Sequence, residues 1–255
     1  MLRPTMTRYH MAAMMAALLG TLALGFGHVV IFGVVVLALL ILIGLGAAIP
    51  QMRFFGPFVC RGANSRRCVA LTFDDGPDER STPALLEVLR EAGVQVTFFC
   101  VGHRVVMHPE LAARIVREGH LLENHSYAHS KLANIYSVSR LQAELARTQA
   151  VIKQATGVAP RWFRPPIGLS NPRVFHVARL LELTVVGWTA GGLDTKLTEP
   201  DRIVARIARR LEPGAIILLH DGNIPAERLV ATVKMLLDRL RALDYEVVRL
   251  DRILT

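Results

Sequence analysis

The sequence contains little cysteine, and no two cysteines stand at a metal-binding spacing. Among its 255 residues are three cysteines, Cys60, Cys68 and Cys100, and no Cys-x-x-Cys segment. This excludes a disulfide-dense scaffold and a zinc finger. Cys60 and Cys68 would pair only in an oxidising compartment, and we expect Cys100 to be a buried thiol because it lies in an apolar run.

Aromatic residues are also scarce, at 6% of the chain, although the net charge of +9 suits a nucleic-acid partner. No basic run is interleaved with aromatic residues, and no nucleic-acid recognition motif is present. Much of the positive charge lies on amphipathic segments such as residues 202–210 or beside the apolar N-terminal region. The charge therefore predicts attraction to anionic lipid and no nucleic-acid partner.

The first fifty residues almost lack polar side chains. From Met11 to Ile49, His28 is the one strongly polar residue. As a single helix this run would extend about 58 Å, nearly twice the roughly 30 Å hydrocarbon core of a bilayer. It therefore predicts two transmembrane helices, at about residues 11–24 and 29–49, with a break at residues 25–28.

Two properties of this region stay open. A secretory signal peptide, with Arg3 and Arg8 as its basic start, competes with the first membrane helix, although no clear small-residue cleavage site precedes the second apolar segment. Basic residues flank the region on both sides, so a hairpin leaves the following domain in the cytoplasm and a single span leaves it outside. The sequence predicts anchoring to membrane lipid in a bacterial-type cytoplasmic (inner) membrane, with the side undecided.

The chain length suits one catalytic domain with an appendage. We assign residues 1–50 to the membrane region, 51–67 to a linker and 68–255 to the catalytic domain. From Cys68 onward, short β-branched or aromatic runs alternate with helical patterns, which is typical of a parallel α/β sheet. Seven strands are predicted, at residues 69–73, 94–100, 120–123, 161–163, 184–188, 215–219 and 245–250. Seven strand–helix units favour a closed or nearly closed barrel, with an open doubly wound sheet as the alternative.

Titratable side chains follow most of the predicted strands. In either architecture the carboxyl ends of the strands meet at one edge, and ligands bind there. The residues at these positions are Asp74, Asp75, His125, His129, Arg164, Asp194, His220 and Asp221. The sequence therefore predicts a single functional site at this edge.

Some of these residues favour a metal ion. Asp74 and Asp75 are adjacent carboxylates, which repel each other unless a cation or a shared proton intervenes. His125 and His129 are four residues apart, so on a helical turn both imidazoles would point the same way. Two imidazoles and a carboxylate hold a metal while leaving coordination positions for water and substrate. His220 ends an apolar run, and histidine has an ordinary pKa near 6.5 that suits proton transfer.

Four segments, in order, resemble the signature motifs of the NodB-homology polysaccharide deacetylases, carbohydrate esterase family 4. They are Thr72–Pro77 (TFDDGP), His125–His129 (HSYAH), Arg164–Gly168 (RPPIG) and Leu218–His220 (LLH). The resemblance runs from about Val69 to the C-terminus. It implies a distorted (β/α)7 barrel and an enzyme that hydrolyses the N-acetyl (acyl amide) group of amino sugars in a polysaccharide, an oligosaccharide or a lipid-linked glycan.

The resemblance also implies the metal and the two proton carriers. Asp75, His125 and His129 would hold a divalent ion, most commonly zinc, with cobalt, manganese or nickel as alternatives. Asp74 would be the general base and His220 the general acid. Amide hydrolysis needs an activated water, a stabilised oxyanion and a proton for the departing amine, so this division is chemically complete. It requires no serine nucleophile, and the sequence has no Gly-x-Ser-x-Gly elbow.

Further implied roles concern supporting groups. Arg164 would orient Asp74, Asp194 would hold and tune His220, and the backbone N–H near Ile167 would help to bind the oxyanion. The sequence departs from the family at the sugar-contacting rim, where Gly191 and Thr195 replace a frequent aspartate and tryptophan, and Ile167 replaces a frequent tyrosine. These changes leave the implied catalytic groups intact but alter the contacts available to a sugar.

Two other functions compete with an amidohydrolase. One is a membrane-tethered glycan-binding module whose catalysis has lapsed. The other is a metal-dependent deacylase acting on an O-acetyl or formamide group. A phosphoesterase is disfavoured because two-metal phosphatases usually need more bridging carboxylates than this site offers.

Overall fold

The computed structural model describes residues 6–62 and 67–254. Arg3 and the rest of the first five residues of the predicted membrane region, residues 63–66 of the predicted linker, and Thr255 lie outside the described residues.

The catalytic part of the chain forms one parallel sheet flanked by helices. Its strands are β1 (Cys68–Asp74), β2 (Thr97–Cys100), β3 (Leu121–Asn124), β4 (Trp162–Phe163), β5 (Thr184–Val185), β6 (Ala190–Gly191), β7 (Ile216–His220) and β8 (Glu246–Val248). They lie in the order β5-β4-β3-β2-β1-β7-β6, and β8 pairs with β1. The sheet path does not join β5 to β6 directly, so the fold is a distorted, incompletely closed (β/α) barrel, which confirms the predicted fold class.

Helices connect the strands and precede them. They are α1 (Arg8–Gly25), α2 (Val29–Ala48), α3 (Thr82–Ala92), α4 (Gly102–Met107), α5 (Pro109–Arg117), α6 (Val138–Thr156), α7 (Pro172–Leu180), α8 (Pro200–Ala208), α9 (Ala226–Ala242) and α10 (Leu250–Ile253). The described residues also contain three short 3-10 turns, Pro50–Met52, Ala133–Ile135 and Pro166–Gly168.

Strand β1 lies at the centre of the sheet because its sequence is apolar on both faces. All seven of its residues are buried, as expected for a parallel strand covered by helices on both sides. Phe73 stacks on Phe98 of β2 with ring centroids 5.5 Å apart, and each such buried side chain contributes about 1.5–3 kcal/mol. In the register with β7, Asp74 pairs with His220. The core therefore fixes two polar residues side by side at the carboxyl edge.

The sequence prediction of the strands missed β6. This strand has only two residues, Ala190 and Gly191, and neither belongs to the β-branched or aromatic types that mark a strand. Asp194 consequently follows β6, a strand that the sequence did not predict. Its position at the carboxyl edge of the sheet is as predicted.

The apolar N-terminal region forms a helical hairpin, α1 and α2, that turns at residues 26–28. The helices pack closely where Gly20 faces the ring of Phe32. Among the described residues, one helix, α2, is long and apolar enough to cross a membrane, with a mean hydropathy of 3.2 and almost no burial within the protein. By length and composition, a signal sequence near the N-terminus would satisfy the same test.

The segment after the hairpin packs against the catalytic domain. The sequence predicts a linker over residues 51–67, yet Phe54, Phe55, Phe58 and Cys60 of its described part are buried. Phe58 meets Phe175 of α7 edge-on. Phe54 and Phe55 pack on Tyr9 of α1, whereas Phe58 packs on α7, so this segment connects the hairpin to the domain through buried aromatic rings.

Candidate active site

The turn after β1 separates the two adjacent carboxylates. Asp74 is the last residue of the strand and is buried, whereas Asp75 adopts the left-handed conformation with φ of 76°. This turn lies directly against Gly222, where an added Cβ would come within 2.6 Å of the Cβ and backbone oxygen of Asp75. With this turn, Asp74 faces Arg164, whereas Asp75 faces His125 and His129.

His125 is buried and its ring orientation is fixed by a backbone carbonyl. Its Nδ1 lies 2.7 Å from the carbonyl oxygen of Arg164. A carbonyl only accepts, so Nδ1 carries the hydrogen and donates it. The other nitrogen, Nε2, faces the two carboxylates, 3.4 Å from Asp75 Oδ1 and 3.7 Å from Asp74 Oδ2.

The loop between the two histidines is not the helical turn that their spacing predicts. Ser126 and His129 both adopt left-handed conformations, with φ of 63° and 47°. Side chains replace the missing helical hydrogen bonds: Asn124 Oδ1 accepts from Ser126 N at 2.9 Å, and Ser126 Oγ accepts from His129 N at 3.2 Å. The two imidazoles still converge, with ring centroids 4.8 Å apart, but through local side-chain bonds rather than helical geometry.

Helix α6 supplies a second support for this loop. Glu144 Oε2 accepts hydrogen bonds from the backbone N–H groups of Tyr127 at 3.2 Å and Ala128 at 2.9 Å. Sequence reasoning missed Glu144 because it lies on a helix with no motif of its own. An acidic residue on the buried side of a helix that follows a histidine loop is the only signal that points to it.

Asp75, His125 and His129 bring their ligand atoms within 4.8 Å of one another. Within residues 6–62 and 67–254, this is the one group of three or more such side chains that could hold a metal ion. His129 Nε2 is 3.1 Å from Asp75 Oδ1, beside the 3.4 Å contact of His125. Ligands about 2.0–2.2 Å from a tetrahedral zinc ion lie roughly 3.3 Å apart, so the spacing suits such an ion.

The donor chemistry of the trio also fits a cation. Asp75 Oδ1 is buried and has no hydrogen-bond partner, which is costly for a carboxylate oxygen. A neutral His125 would present a lone pair to that oxygen, and two acceptors facing each other repel. A divalent ion between them would satisfy both groups.

The ionisation of Asp75 and His129 favours metal ligands over proton carriers. Burial by itself would lower the pKa of His125, but the carboxylates of Asp74 and Asp75 outweigh it and raise that pKa. Burial by itself would raise the pKa of Asp75, but the neighbouring imidazoles of His125 and His129 outweigh it and hold that pKa well below its usual range. Burial and the nearby charge of His125 lower the pKa of His129. Asp75 is therefore a carboxylate and His129 a neutral imidazole, which are the forms that bind metals.

Arg164 orients Asp74 from the buried interior of the domain. It is fully buried, and its Nη1 donates to Asp74 Oδ1 at 2.6 Å and to Thr72 Oγ1 at 2.8 Å. Its Nη2 donates to the carbonyl of Gly187 at 3.0 Å, and its guanidinium lies 4.1 Å from the centroid of the Phe99 ring. These contacts orient one oxygen of Asp74 and leave the other facing His125.

Asp194 holds His220 at two points. Its Oδ2 accepts from His220 N at 2.8 Å, and its Oδ1 is 3.0 Å from His220 Nδ1. Burial disfavours the imidazolium, but the hydrogen bond and charge of Asp194, with the charges of Asp74 and Asp75, raise the pKa of His220 to about 9. His220 therefore carries a proton at neutral pH.

The loop after β4 forms one side of the site. Ile167 is largely exposed and left-handed, with φ of 57°. Gly168 is also left-handed, and a Cβ there would overlap the ring of Trp188. The structure thus brings together the seven residues with implied roles in catalysis or metal binding, with Ile167 on the adjoining loop. Asp221, which was predicted at the same edge, is fully buried and accepts a hydrogen bond from Thr82 Oγ1 at 2.6 Å.

A parallel α/β barrel with titratable groups converging at its strand ends is the architecture of an enzyme. Residues 61–186 match the family described as polysaccharide deacetylase. A chitooligosaccharide deacetylase from Bradyrhizobium is 36% identical over 187 residues, which cover 73% of this chain and 85% of that protein. A peptidoglycan-N-acetylglucosamine deacetylase from Bacillus cereus is 31% identical over 193 residues, covering 75% and 90%.

Solved structures agree with the sequence matches. A carbohydrate esterase family 4 pseudoenzyme from Bacillus anthracis superposes with a TM-score of 0.72 at 29% identity, covering 78% of this chain and 69% of that one. The chain belongs to the polysaccharide deacetylase family. This confirms the family predicted from the four motifs and, with it, the enzyme class: a hydrolase of carbon–nitrogen bonds other than peptide bonds.

Proposed function

We propose that this protein is a metal-dependent deacetylase that removes the N-acetyl group from amino sugars of a glycan. The observation that carries the proposal is the convergence of Asp75, His125 and His129 beside Asp74 and His220. The similar proteins named for chitooligosaccharide and for peptidoglycan N-acetylglucosamine support an N-acetylated sugar as the substrate.

Asp75, His125 and His129 would hold the ion. One carboxylate and two imidazoles suit zinc, and cobalt, manganese or nickel accept the same donors. When bound, such an ion polarises an amide carbonyl and lowers the pKa of a water molecule.

The remaining residues divide the proton transfers. Asp74, oriented by Arg164, takes a proton from the attacking water as its oxygen bonds to the acyl carbon. His220 holds a proton at neutral pH and donates it to the amide nitrogen as the carbon–nitrogen bond breaks. Asp194 keeps His220 oriented, and the backbone N–H near Ile167 donates to the oxyanion. The products are acetate and a free amino sugar.

The test is acetate release from chitotetraose by the full chain in detergent with added zinc. Asp74→Asn removes the general base, so we expect the rate to fall by about 10²–10⁴-fold with an unchanged circular dichroism spectrum. Asp238→Asn, an exposed carboxylate on α9, is the matched control and should keep full activity.

A folded, zinc-loaded protein that releases acetate from no N-acylated glycan would refute this function. The similar pseudoenzyme makes a glycan-binding module the alternative. Saturable glycan binding without turnover, unaltered by Asp74→Asn, would favour that module. Turnover confined to O-acetyl or formyl substrates would favour the other deacylases.

We also propose that α1 and α2 insert into a cytoplasmic membrane as a hairpin. Large apolar side chains are exposed along both helices, an arrangement that is stable only in lipid or against a partner. Helices of 18 and 20 residues extend about 27 and 30 Å, close to the hydrocarbon thickness.

The hairpin geometry favours the cytoplasmic side for the catalytic domain. Its basic flanks lie at the same end, where Arg8 Nη1 donates to the carbonyl of Met52 at 2.7 Å beside Arg53. The turn at residues 26–28 contains no lysine or arginine. Basic residues favour the cytoplasmic side, so a green fluorescent protein fused after Thr255 should fluoresce and an alkaline phosphatase fused there should be inactive. The reverse pattern would contradict this orientation.

A further inference from the structure

The base of the hairpin is bonded to the loops that carry the active site. Ser170 N, in the loop after β4, donates to the carbonyl of Ala47 in the last turn of α2 at 3.1 Å. Gln51 Nε2 donates to the carbonyl of Trp188, just after β5, at 2.7 Å. Ser170 lies in a loop at the carboxyl edge of the sheet, and Trp188 lies in the connection between β5 and β6. The Ser170 contact therefore holds the membrane end of α2 against the catalytic edge, and the Gln51 contact holds it against the adjoining barrel wall.

Three contacts connect the general base to the end of α2. Arg164 bridges Asp74 and the carbonyl of Gly187, at 2.6 and 3.0 Å. Gly187 in turn lies against Pro50, since a Cβ on Gly187 would be 3.1 Å from the Cβ of Pro50. Pro50 follows α2 by two residues. The site is therefore only a few side chains from the level at which α2 would leave the bilayer.

The rim of the site is apolar and basic on the loops tied to the hairpin. Leu132, Ile135 and Ile167 are 61%, 68% and 56% exposed. Asn171 Nδ2 donates to the carbonyl of Asn134 at 2.5 Å, which joins the loop after His129 to the loop that contacts Ala47.

Single exposed apolar residues need no explanation, but these three lie on two loops that Asn171 joins, and one of those loops is bonded to the hairpin through Ser170. Lys131 and Arg173 are exposed beside them. Apolar side chains together with basic groups are the composition that lies in the interface of an anionic bilayer. The rim therefore suits direct contact with the membrane surface.

We infer that the catalytic cleft opens onto the bilayer surface and that its substrate is an N-acylated amino sugar carried on a membrane lipid. This rests on the proposed deacetylase activity and on the proposed membrane insertion of α1 and α2. A sugar attached to a lipid diffuses in the membrane plane and meets the rim directly. The segment after α2 is buried, which keeps the domain close to the base of the hairpin.

The experiment compares two probes on the full, zinc-loaded protein in nanodiscs of phosphatidylethanolamine and phosphatidylglycerol. One probe is N-acetylglucosamine joined by a diphosphate to a polyprenyl chain in the same disc, and the other is chitotetraose in solution. We expect kcat/KM to be at least about tenfold higher for the lipid-linked sugar, because membrane confinement raises the local substrate concentration.

Rim variants make the test specific. The double variant Leu132→Gln and Ile135→Gln should lower the rate on the lipid-linked sugar by about tenfold through lost interfacial contact, and leave chitotetraose turnover unchanged. The matched control, Val158→Gln and Leu180→Gln, changes two residues that are each 52% exposed and follow α6 or end α7, toward the opposite edge of the sheet. It should alter neither rate.

Equal rates on the two probes, or a rim variant that keeps its full rate on the lipid-linked sugar, would overturn this inference. Turnover of chitotetraose without turnover of the lipid-linked sugar would overturn it while leaving the deacetylase activity intact. Release of acetate from neither probe would overturn both proposals.

Discussion

The pair formed by Arg164 and Asp74 shows how single residues set the chemistry of the site. Burying two charges costs several kcal/mol per ion unless hydrogen bonds satisfy the remaining polar groups. Here Thr72 Oγ1 and the carbonyl of Gly187 accept from the same guanidinium, and Phe99 lies against its face. A lysine offers no planar fork and could not make these contacts together. The arginine therefore fixes the general base in one orientation.

Asp194→Asn should shift the pH dependence of the reaction. Asp194 raises the pKa of His220 to about 9, so the imidazolium persists up to that pH. Without the negative charge of Asp194, the pKa of His220 falls toward 6.5. The alkaline limb of the kcat/KM profile should therefore move to a pH about two units lower. The measurement is kcat/KM for chitotetraose between pH 5 and 10.

The pair formed by Asp194 and His220 also makes the stability of the protein depend on pH. The pKa of His220 is raised in the folded state. The contribution of the His220–Asp194 pair to the free energy of unfolding is therefore fully present below about pH 6.5 and is lost as the pH rises through about 9. Asp238→Asn serves as the control and should keep the wild-type pH profile. An alkaline limb that stays in place in Asp194→Asn would contradict the assignment of His220 as general acid.

Among the secondary-structure elements, α6 does more than cover the sheet. Ser137 Oγ caps its first turn by accepting from Arg140 N at 3.3 Å, and Leu141, Leu145 and Ile152 are buried along one side. This packing fixes the helix position and points Glu144 at the backbone of the histidine loop. The helix therefore positions a metal ligand that belongs to another segment.

Glu144→Ala should weaken zinc binding by about 10- to 100-fold, because supporting hydrogen bonds around metal ligands typically have effects of this size. Glu144→Gln keeps an acceptor oxygen and should recover most of the affinity. The measurement is competition with a fluorescent zinc chelator. Gln142→Ala, at an exposed position on the same helix, is the control, and equal zinc affinity in Glu144→Ala and this control would exclude the positioning role.

The strands and loops also show which parts of the fold can be predicted from the sequence. Apolar runs ending in Asp74 and His220 predict strands with their polar residues at one edge, because burial on both faces leaves a clear pattern. The left-handed loop after Asn124 carries no such pattern, since it depends on side-chain hydrogen bonds. Strand β6 is two residues long and is fixed by pairing with β7. The loop depends on local side-chain hydrogen bonds and β6 depends on tertiary pairing, and neither leaves the apolar pattern that predicts an element.

At the scale of the whole molecule, the hairpin and the catalytic domain form a continuous packed unit. Gly46 of α2 lies against the ring of Phe54, where any Cβ would overlap the ring. Tyr9 of α1 packs on the same ring edge-on, with centroids 6.0 Å apart. This junction holds both helices of the hairpin against the buried segment that precedes the catalytic domain.

Gly46→Val should loosen the junction by displacing Phe54. We expect faster limited proteolysis within residues 49–62 of the detergent-solubilised protein, followed by mass spectrometry. Gly44→Val is the matched control, because a Cβ at Gly44 meets nothing within 4 Å, and it adds the same β-branched side chain to the same helix. Equal cleavage rates in the two variants would show that the hairpin is not held at this junction.

The central claim is that Asp75, His125 and His129 hold one catalytic ion. The most direct measurement is acetate release from chitotetraose by metal-depleted protein during titration with zinc. The rate should rise in proportion to added zinc and level off at about one ion per chain, and Asp75→Ala should remain inactive throughout. Full activity in the metal-depleted protein, or a normal titration by Asp75→Ala, would contradict the claim.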